Sequence, residues 1–152
     1  MSNDLLTESL KIQQAVTPRR DSTASTLYNG SVLGATGVGI DTKDFDEAQI
    51  MLQIGLISSG TLDCSVYDSS VGNNSTGSTL VTGASFAQVS SSYVGSTGVF
   101  VGSIKTKNTK RYLYVKTVLA TADVKDFAVT VALGKGDGAM PVTQGQTVAF
   151  QV

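Results

Sequence analysis

Short runs of apolar residues recur between residues 25 and 133, and no interval between them holds a long amphipathic helix. Apolar and polar residues alternate in Thr61–Tyr67, Tyr112–Leu119 and Phe127–Leu133, which is the pattern of strands with one buried face. Turn residues separate the runs. The pattern predicts an all-β fold, a jelly roll or β-sandwich of about seven to eight antiparallel strands. It contains no strand–helix–strand rhythm of the kind that builds parallel sheets.

The composition agrees with this fold class. Charged residues make up only 15% of the 152 residues, against about 25% in an average domain. Polarity comes instead from 18 Ser and 18 Thr, together with 16 Gly, residues that favour strands and tight turns over surface helices. The length suits a single domain.

The two ends of the chain differ in pattern from its middle. Residues 1–23 could begin with one or two helical turns, but Pro18 breaks a helix and is followed by Arg19 and Arg20. We interpret them as an extended N-terminal arm that orders against a partner. Residues 24–134 form the predicted jelly-roll domain, and residues 135–152 form a C-terminal tail in which Thr147–Val152 suggest a terminal strand.

Charge and hydropathy predict a protein without direct nucleic-acid or membrane contacts. The formal net charge is −1, so no global field attracts the chain to phosphates. No apolar run reaches about 18 residues, and the N-terminus lacks the pattern of a secretory signal. Cys64 is the single cysteine and alternates with Leu62 and Val66, so we expect a buried core residue.

Candidate catalytic and metal-binding groups are scarce. The chain has no histidine, which removes the common triads and the commonest transition-metal ligand. Asp41, Asp44, Asp46 and Glu47 form one acidic cluster, but the spacing lacks the pattern of a calcium loop. We interpret it as a solvated turn before a strand, and expect neither an enzyme nor a bound metal or cofactor.

Basic residues cluster in the turn that connects two predicted strands. Lys105, Lys107, Lys110 and Arg111 account for four of the eleven cationic side chains. A solvated turn is the simplest interpretation, and a docking patch for an acidic protein surface is the alternative. We take Arg19, Arg20, Lys105, Lys107 and Lys110 as candidate contacts to a capsid or a neighbouring subunit. Tyr112 and Tyr114 share one face of the next strand, and we favour the core over an interface for them.

Read in order, the strand signatures resemble the head decoration, or cement, proteins of tailed bacteriophages. The resemblance covers about residues 24–134. It depends on seven segments: Tyr28-Asn29-Gly30, Phe45–Ala48, Ile50–Gly55, Gly60-Thr61-Leu62, Val101–Ile104, Thr109–Val115 and Val129–Gly134.

This resemblance implies a structural protein on the outer surface of the virion, made in the bacterial host cytoplasm. Its partners would be the major capsid protein and further copies of itself, with a homotrimer favoured over a homodimer. Such a protein binds across junctions between capsomers and stabilises the head. The alternative is a tail or fibre adhesin, or another carbohydrate-binding β-sandwich module, although aromatic residues are few and Trp is absent.

Overall fold

The alternating runs of the sequence form strands in the computed structural model, which describes residues 10–29, 31–32, 38–73, 77–90, 98–120, 125–135 and 147–152. These residues form two sheets. Sheet A contains, in spatial order, β1 (Leu10–Asp21), β11 (Lys125–Gly134), β5 (Glu47–Ile57), β9 (Gly98–Lys105) and β12 (Thr147–Gln151). Its neighbours are antiparallel except β12, which runs parallel to β9.

Sheet B contains, in spatial order, β3 (Ser31–Val32), β2 (Ser25–Tyr28), β10 (Tyr112–Ala120), β6 (Thr61–Ser69) and β7 (Thr79–Ser85). Two short strands extend it: β4 (Ile40–Asp41) pairs with β10, and β8 (Val89–Ser90) pairs with β6. A 3-10 turn, Thr106–Asn108, connects β9 to the approach to β10.

The order of the longer strands is that of a jelly roll. If β1, β2, β5, β6, β7, β9, β10 and β11 are counted from one to eight along the chain, sheet A has the order 1-8-3-6 and sheet B the order 2-7-4-5. This arrangement of eight strands in two facing sheets is the double Greek key. The predicted all-β sandwich is confirmed.

The core lies between the two sheets and follows from the alternation. Inward positions of β5, β6, β10 and β11 are fully or almost fully buried, and Phe86, Phe100 and Phe150 extend the same cluster. Cys64 belongs to this core at 1% exposure, as its alternation predicts. Gly102 leaves room for Phe150 of β12, since a Cβ at residue 102 would lie 2.1 Å from that ring.

Residues 10–21 differ from the expectation of an arm. They form β1, the first strand of the jelly roll, which is paired with β11 along its length and buries Ala15 and Val16. The extended conformation was expected, but its partner is the same chain. Leu10–Gln13, where the sequence suggested a helical turn, belong to this strand, because pairing in the sheet outweighs a weak local preference for helix. Residues 1–9 and 136–146 of the predicted arm and tail lie outside the described residues.

Candidate functional site

The basic turn predicted from the sequence lies at one end of the sandwich, which we call the turn end: residues 41–47, residues 105–111 and the end of β11. Hydrogen bonds join these segments. Thr106 donates its backbone N–H to Asp46 O at 3.0 Å, and Asp46 donates its own to Gly134 O at 3.0 Å. The Thr106 hydroxyl donates to Phe45 O, and Thr42 donates to Arg111 O at 2.7 Å through its hydroxyl.

Four of the seven segments that carry the family resemblance therefore meet at the turn end. Phe45–Ala48 leads into β5, Val101–Ile104 ends β9, Thr109–Val115 opens β10 and Val129–Gly134 ends β11. Register confirms the proximity, since Glu47 pairs with both Gly134 and Lys105. These residues build the end of the scaffold that presents the basic turn.

Two of the four cations of the turn are held by ion pairs within the chain. The Arg111 guanidinium donates to both carboxylate oxygens of Asp41, at 3.0 and 2.7 Å. Lys110 Nζ lies 3.3 Å from Asp68 and donates to Thr79 Oγ1 at 3.1 Å. The Lys110 backbone N–H also donates to Asp68, at 3.0 Å. These contacts orient the turn and reduce the charge that Lys110 and Arg111 offer to a partner.

The ion pair with Arg111 lowers the pKa of Asp41 to about 2. The largest cause is the hydrogen bond from Arg111, and the backbone N–H of Lys43 adds another at 3.0 Å. In return, Asp41 raises the pKa of Arg111. Asp41 is thus a scaffold residue and stays charged over the whole physiological range.

Lys105 and Lys107 are the cations of the turn that no ion pair among the described residues includes. Both side chains are exposed. Lys107 lines a shallow groove of about 320 Å³ beside Lys43, Asp46 and Arg111. The turn end thus offers the solvated ammonium groups of Lys105 and Lys107, with that of Lys43 beside them, at a groove of mixed charge.

Arg19 and Arg20 lie at the opposite end, the arm end, defined by residues 19–21 and 125–126. Arg20 donates to both oxygens of Asp126 across the β1–β11 pair, at 2.7 and 2.9 Å, which lowers the pKa of Asp126. Arg19 donates to Asp21 at 2.8 Å. Asp126 and Gly134 are eight positions apart on β11, a distance of about 27 Å. The five candidate contact residues therefore form two separate groups.

A groove of about 560 Å³ at the arm end was not expected from the sequence. The backbones of Gly55 and Gly98 leave it open, Val99 and Ala128 make it apolar, and the Arg20–Asp126 pair forms one rim. Its residues are distant in sequence and none has an unusual side chain. The groove could not be predicted from the sequence, because strand pairing alone brings its lining residues together.

Tyr112 and Tyr114 do not enter the core between the sheets. They point to the outer face of sheet B, where Tyr114 is nevertheless 0% exposed. The Tyr114 hydroxyl donates to Val71 O at 2.9 Å. Both tyrosine side chains lie close to Gly39, because a Cβ at residue 39 would be 2.9 Å from each of them. Tyr112 also fills the space beside Gly72. Both tyrosines support surface loops.

A second aromatic cluster lies on the same face. Tyr28 and Tyr67 pack edge to face with ring centroids 6.0 Å apart. Lys116 Nζ lies 5.6 Å from the Tyr28 centroid and 5.2 Å from that of Tyr67, within range of a cation–π contact. The lysine therefore occupies the faces that a stacked ligand would use.

The acidic cluster does not converge on one point. Asp41 forms an ion pair with Arg111. Glu47, at the start of β5, is the cross-strand neighbour of Lys105, at the end of β9. In the part of the chain that the structure describes, no group of three or more possible ligands could hold a metal ion. None of the described helical segments is long and apolar enough to span a membrane.

No family model and no curated protein sequence matches this chain. Several solved structures match this chain. One, from work on Bacillus endospore appendages that form disulfide-linked pili, is 14% identical, with a TM-score of 0.44 over 84% of this chain and 90% of that one. Two come from infectious bursal disease virus: the Gx strain structure, at 14% identity and TM-score 0.49, and the VP2 subviral particle, at 16% and 0.47.

Each of the two virus matches covers 87% of this chain but 34% of the virus chain. The chain therefore spans about a third of their length.

Proposed function

We propose that this chain is a structural protein of the virion, a decoration protein that binds the outer surface of the major capsid protein shell of a tailed bacteriophage head. The observation that carries the proposal is the convergence at the turn end. Four of the seven segments that resemble decoration proteins meet there, and they present Lys105 and Lys107 as solvated cations beside a shallow groove. A rigid, hydrogen-bonded end with unpaired charge suits docking on a preformed surface.

Binding across capsomer junctions would stabilise the head because the interface energies of many bound copies add together. Each copy contributes a modest interface energy, and many symmetry-related copies together resist the outward pressure of packaged DNA. The proposed partners are the major capsid protein and further copies of this chain. The proposed location is the outside of the head, after synthesis in the host cytoplasm, and no catalytic step is required.

In the part of the chain that the structure describes, the surface that could serve the carbohydrate-binding alternative is the cluster of Tyr28, Tyr67 and Lys116. Sugar recognition by stacking needs an open ring face. Here the rings pack on each other and Lys116 lies over both. This geometry favours the structural role.

Cosedimentation with bare heads tests the proposal. We expect the wild-type protein to bind heads, and the double variant Lys105→Glu/Lys107→Glu to bind at least tenfold more weakly, because four units of charge change at the docking surface. Binding should also weaken as salt rises, since both side chains are exposed.

The control is Gln53→Glu, which adds negative charge at an exposed position near the arm end. It should bind heads like the wild type. Wild-type protein that does not bind heads would contradict the proposed function. Equal binding by the double variant would contradict only the role of the turn end.

A further inference from the structure

The two sheets have four edges, and they differ in how they are protected. β7 carries a bulge in which Gly83 has a φ of +81°. β12 lies beside β7, and a Cβ at Gly83 would contact Val152 at 2.9 Å. β3 is two residues long. β1 is twelve residues long and, among the described strands, has a neighbour on one side only.

β1 divides into a regular half and an interrupted half. Leu10–Gln14 pair residue by residue with Gly134–Thr130. Register shifts follow between Gln14 and Val16 and between Val16 and Arg19, and Pro18 lies within the second. Bulges and proline prevent a further strand from adding at an edge. Among the described residues, the open edge is therefore the five residues Leu10–Gln14.

The centre of this open edge is Ile12, whose side chain is 62% exposed on the outer face of sheet A. Unpaired backbone groups on an edge strand recognise another extended strand by main-chain hydrogen bonds. An exposed isoleucine at the middle of such an edge adds an apolar contact. This edge should therefore pair best with an extended strand that also has an apolar residue at its centre.

We propose that the partner is a second copy of the same edge, paired antiparallel about a two-fold axis at Ile12. In this register Ile12 lies opposite its symmetry mate, Lys11 opposite Gln13, and Leu10 opposite Gln14, so no like charges are directly opposed. The two five-stranded sheets become one continuous sheet. A two-fold contact is self-complementary, as the commonest oligomer interfaces are.

The contact builds a dimer, and so departs from the trimer that the family resemblance favours. It does not depend on the proposed binding to a capsid, because it is a property of the chain in solution. Five residues a side are fewer than a standard interface contains. We therefore expect a weak dimer whose population rises with concentration.

A cysteine at the axis tests both the partner and the register. Directly opposite residues of antiparallel strands have Cα atoms about 4.5–5.5 Å apart, within the range of about 4.4–6.8 Å that a disulfide spans. We expect Ile12→Cys to form a covalent dimer under mild oxidation, with at least a tenfold higher yield than a control. The dimer is measured on a non-reducing gel and by intact mass.

The matched control is Gln14→Cys, which is exposed and lies on the same face. In the proposed register the two copies of residue 14 are four positions apart along the strand, about 14 Å, and should not join. Cys64 does not interfere, because it is buried and burial raises the pKa of its thiol.

Equal yields from the two variants, or no covalent dimer from Ile12→Cys, would overturn the proposal. Light scattering supplies a second measurement without cysteines. We expect Ile12→Lys to remain folded, since the side chain is exposed, and to remain a monomer at concentrations where the wild type is a dimer. A wild-type trimer, or dimerisation unchanged in Ile12→Lys, would also overturn it.

Discussion

Ion pairs explain why most cations that the sequence singled out are not free to bind a partner. Arg20, Lys110 and Arg111 each contact a carboxylate that is far away in sequence: Asp126, Asp68 and Asp41 respectively. Sequence spacing could identify the basic turn but could not pair it with those carboxylates. Only Lys105 and Lys107 remain as exposed cations of the turn without an ion pair among the described residues.

The pair between Asp41 and Arg111 makes stability depend on pH in the acid range. The folded protein lowers the pKa of Asp41 from 3.8 to about 2. A depressed pKa contributes stability above the unfolded value, and this contribution is lost as pH falls through the folded value. We expect Asp41→Asn to melt at a lower temperature than the wild type near neutral pH, and the difference to shrink between pH 3.8 and about 2.

Thermal unfolding of both proteins at several pH values measures this. The effect should be small, because both side chains are partly exposed and salt screens such pairs. A difference that stays constant down to pH 2 would contradict the assignment.

At the scale of elements, the alternation of apolar and polar residues predicted the strands well where a strand has one buried face. β6 and β11 have their inward residues where the sequence placed them, whereas on β10 the face expected to carry Tyr112 and Tyr114 into the core is the outer one. β1 was harder to predict, because its pattern is interrupted by bulges around Val16 and by Pro18. Its strand character comes from pairing with β11, which lies 104 to 124 residues later in the chain, and no local pattern reports such a partner.

The surroundings of Tyr114 and Phe150 also could not be predicted from local sequence. Tyr114 was expected in the core between the sheets, but it lies on the outer face of sheet B, where surface loops bury it. Phe150 lies in the predicted terminal strand, but the need for glycine at residue 102 appears only when β12 is placed beside β9. Long-range contacts decide both.

The contact between β9 and β12 gives a prediction for these elements. Gly102→Ala should destabilise the protein by about 1–3 kcal/mol, because the added Cβ overlaps the Phe150 ring. Combining it with Phe150→Leu should cost less than the sum of the two single changes, since residues in contact couple. Urea unfolding of the four proteins measures this, and strictly additive costs would contradict the packing described.

At the scale of the whole molecule, the jelly roll holds the turn end and the arm end about 27 Å apart. One end carries the exposed lysines, and the other carries the apolar groove with its Arg20–Asp126 rim. The regular edge of β1 begins beside the turn end, because Leu10 pairs with Gly134. A molecule of this shape can dock by one end while its sheet edge contacts a neighbour.

The central claim, that the chain decorates a capsid, is tested most directly by electron microscopy of phage particles assembled with and without it. We predict extra density on the outer surface of the head, at repeated positions where capsomers meet, with the basic turn end towards the shell. Particles without the protein should lack that density and lose DNA at lower temperature. Density on the tail alone, or particles that do not differ, would contradict the claim.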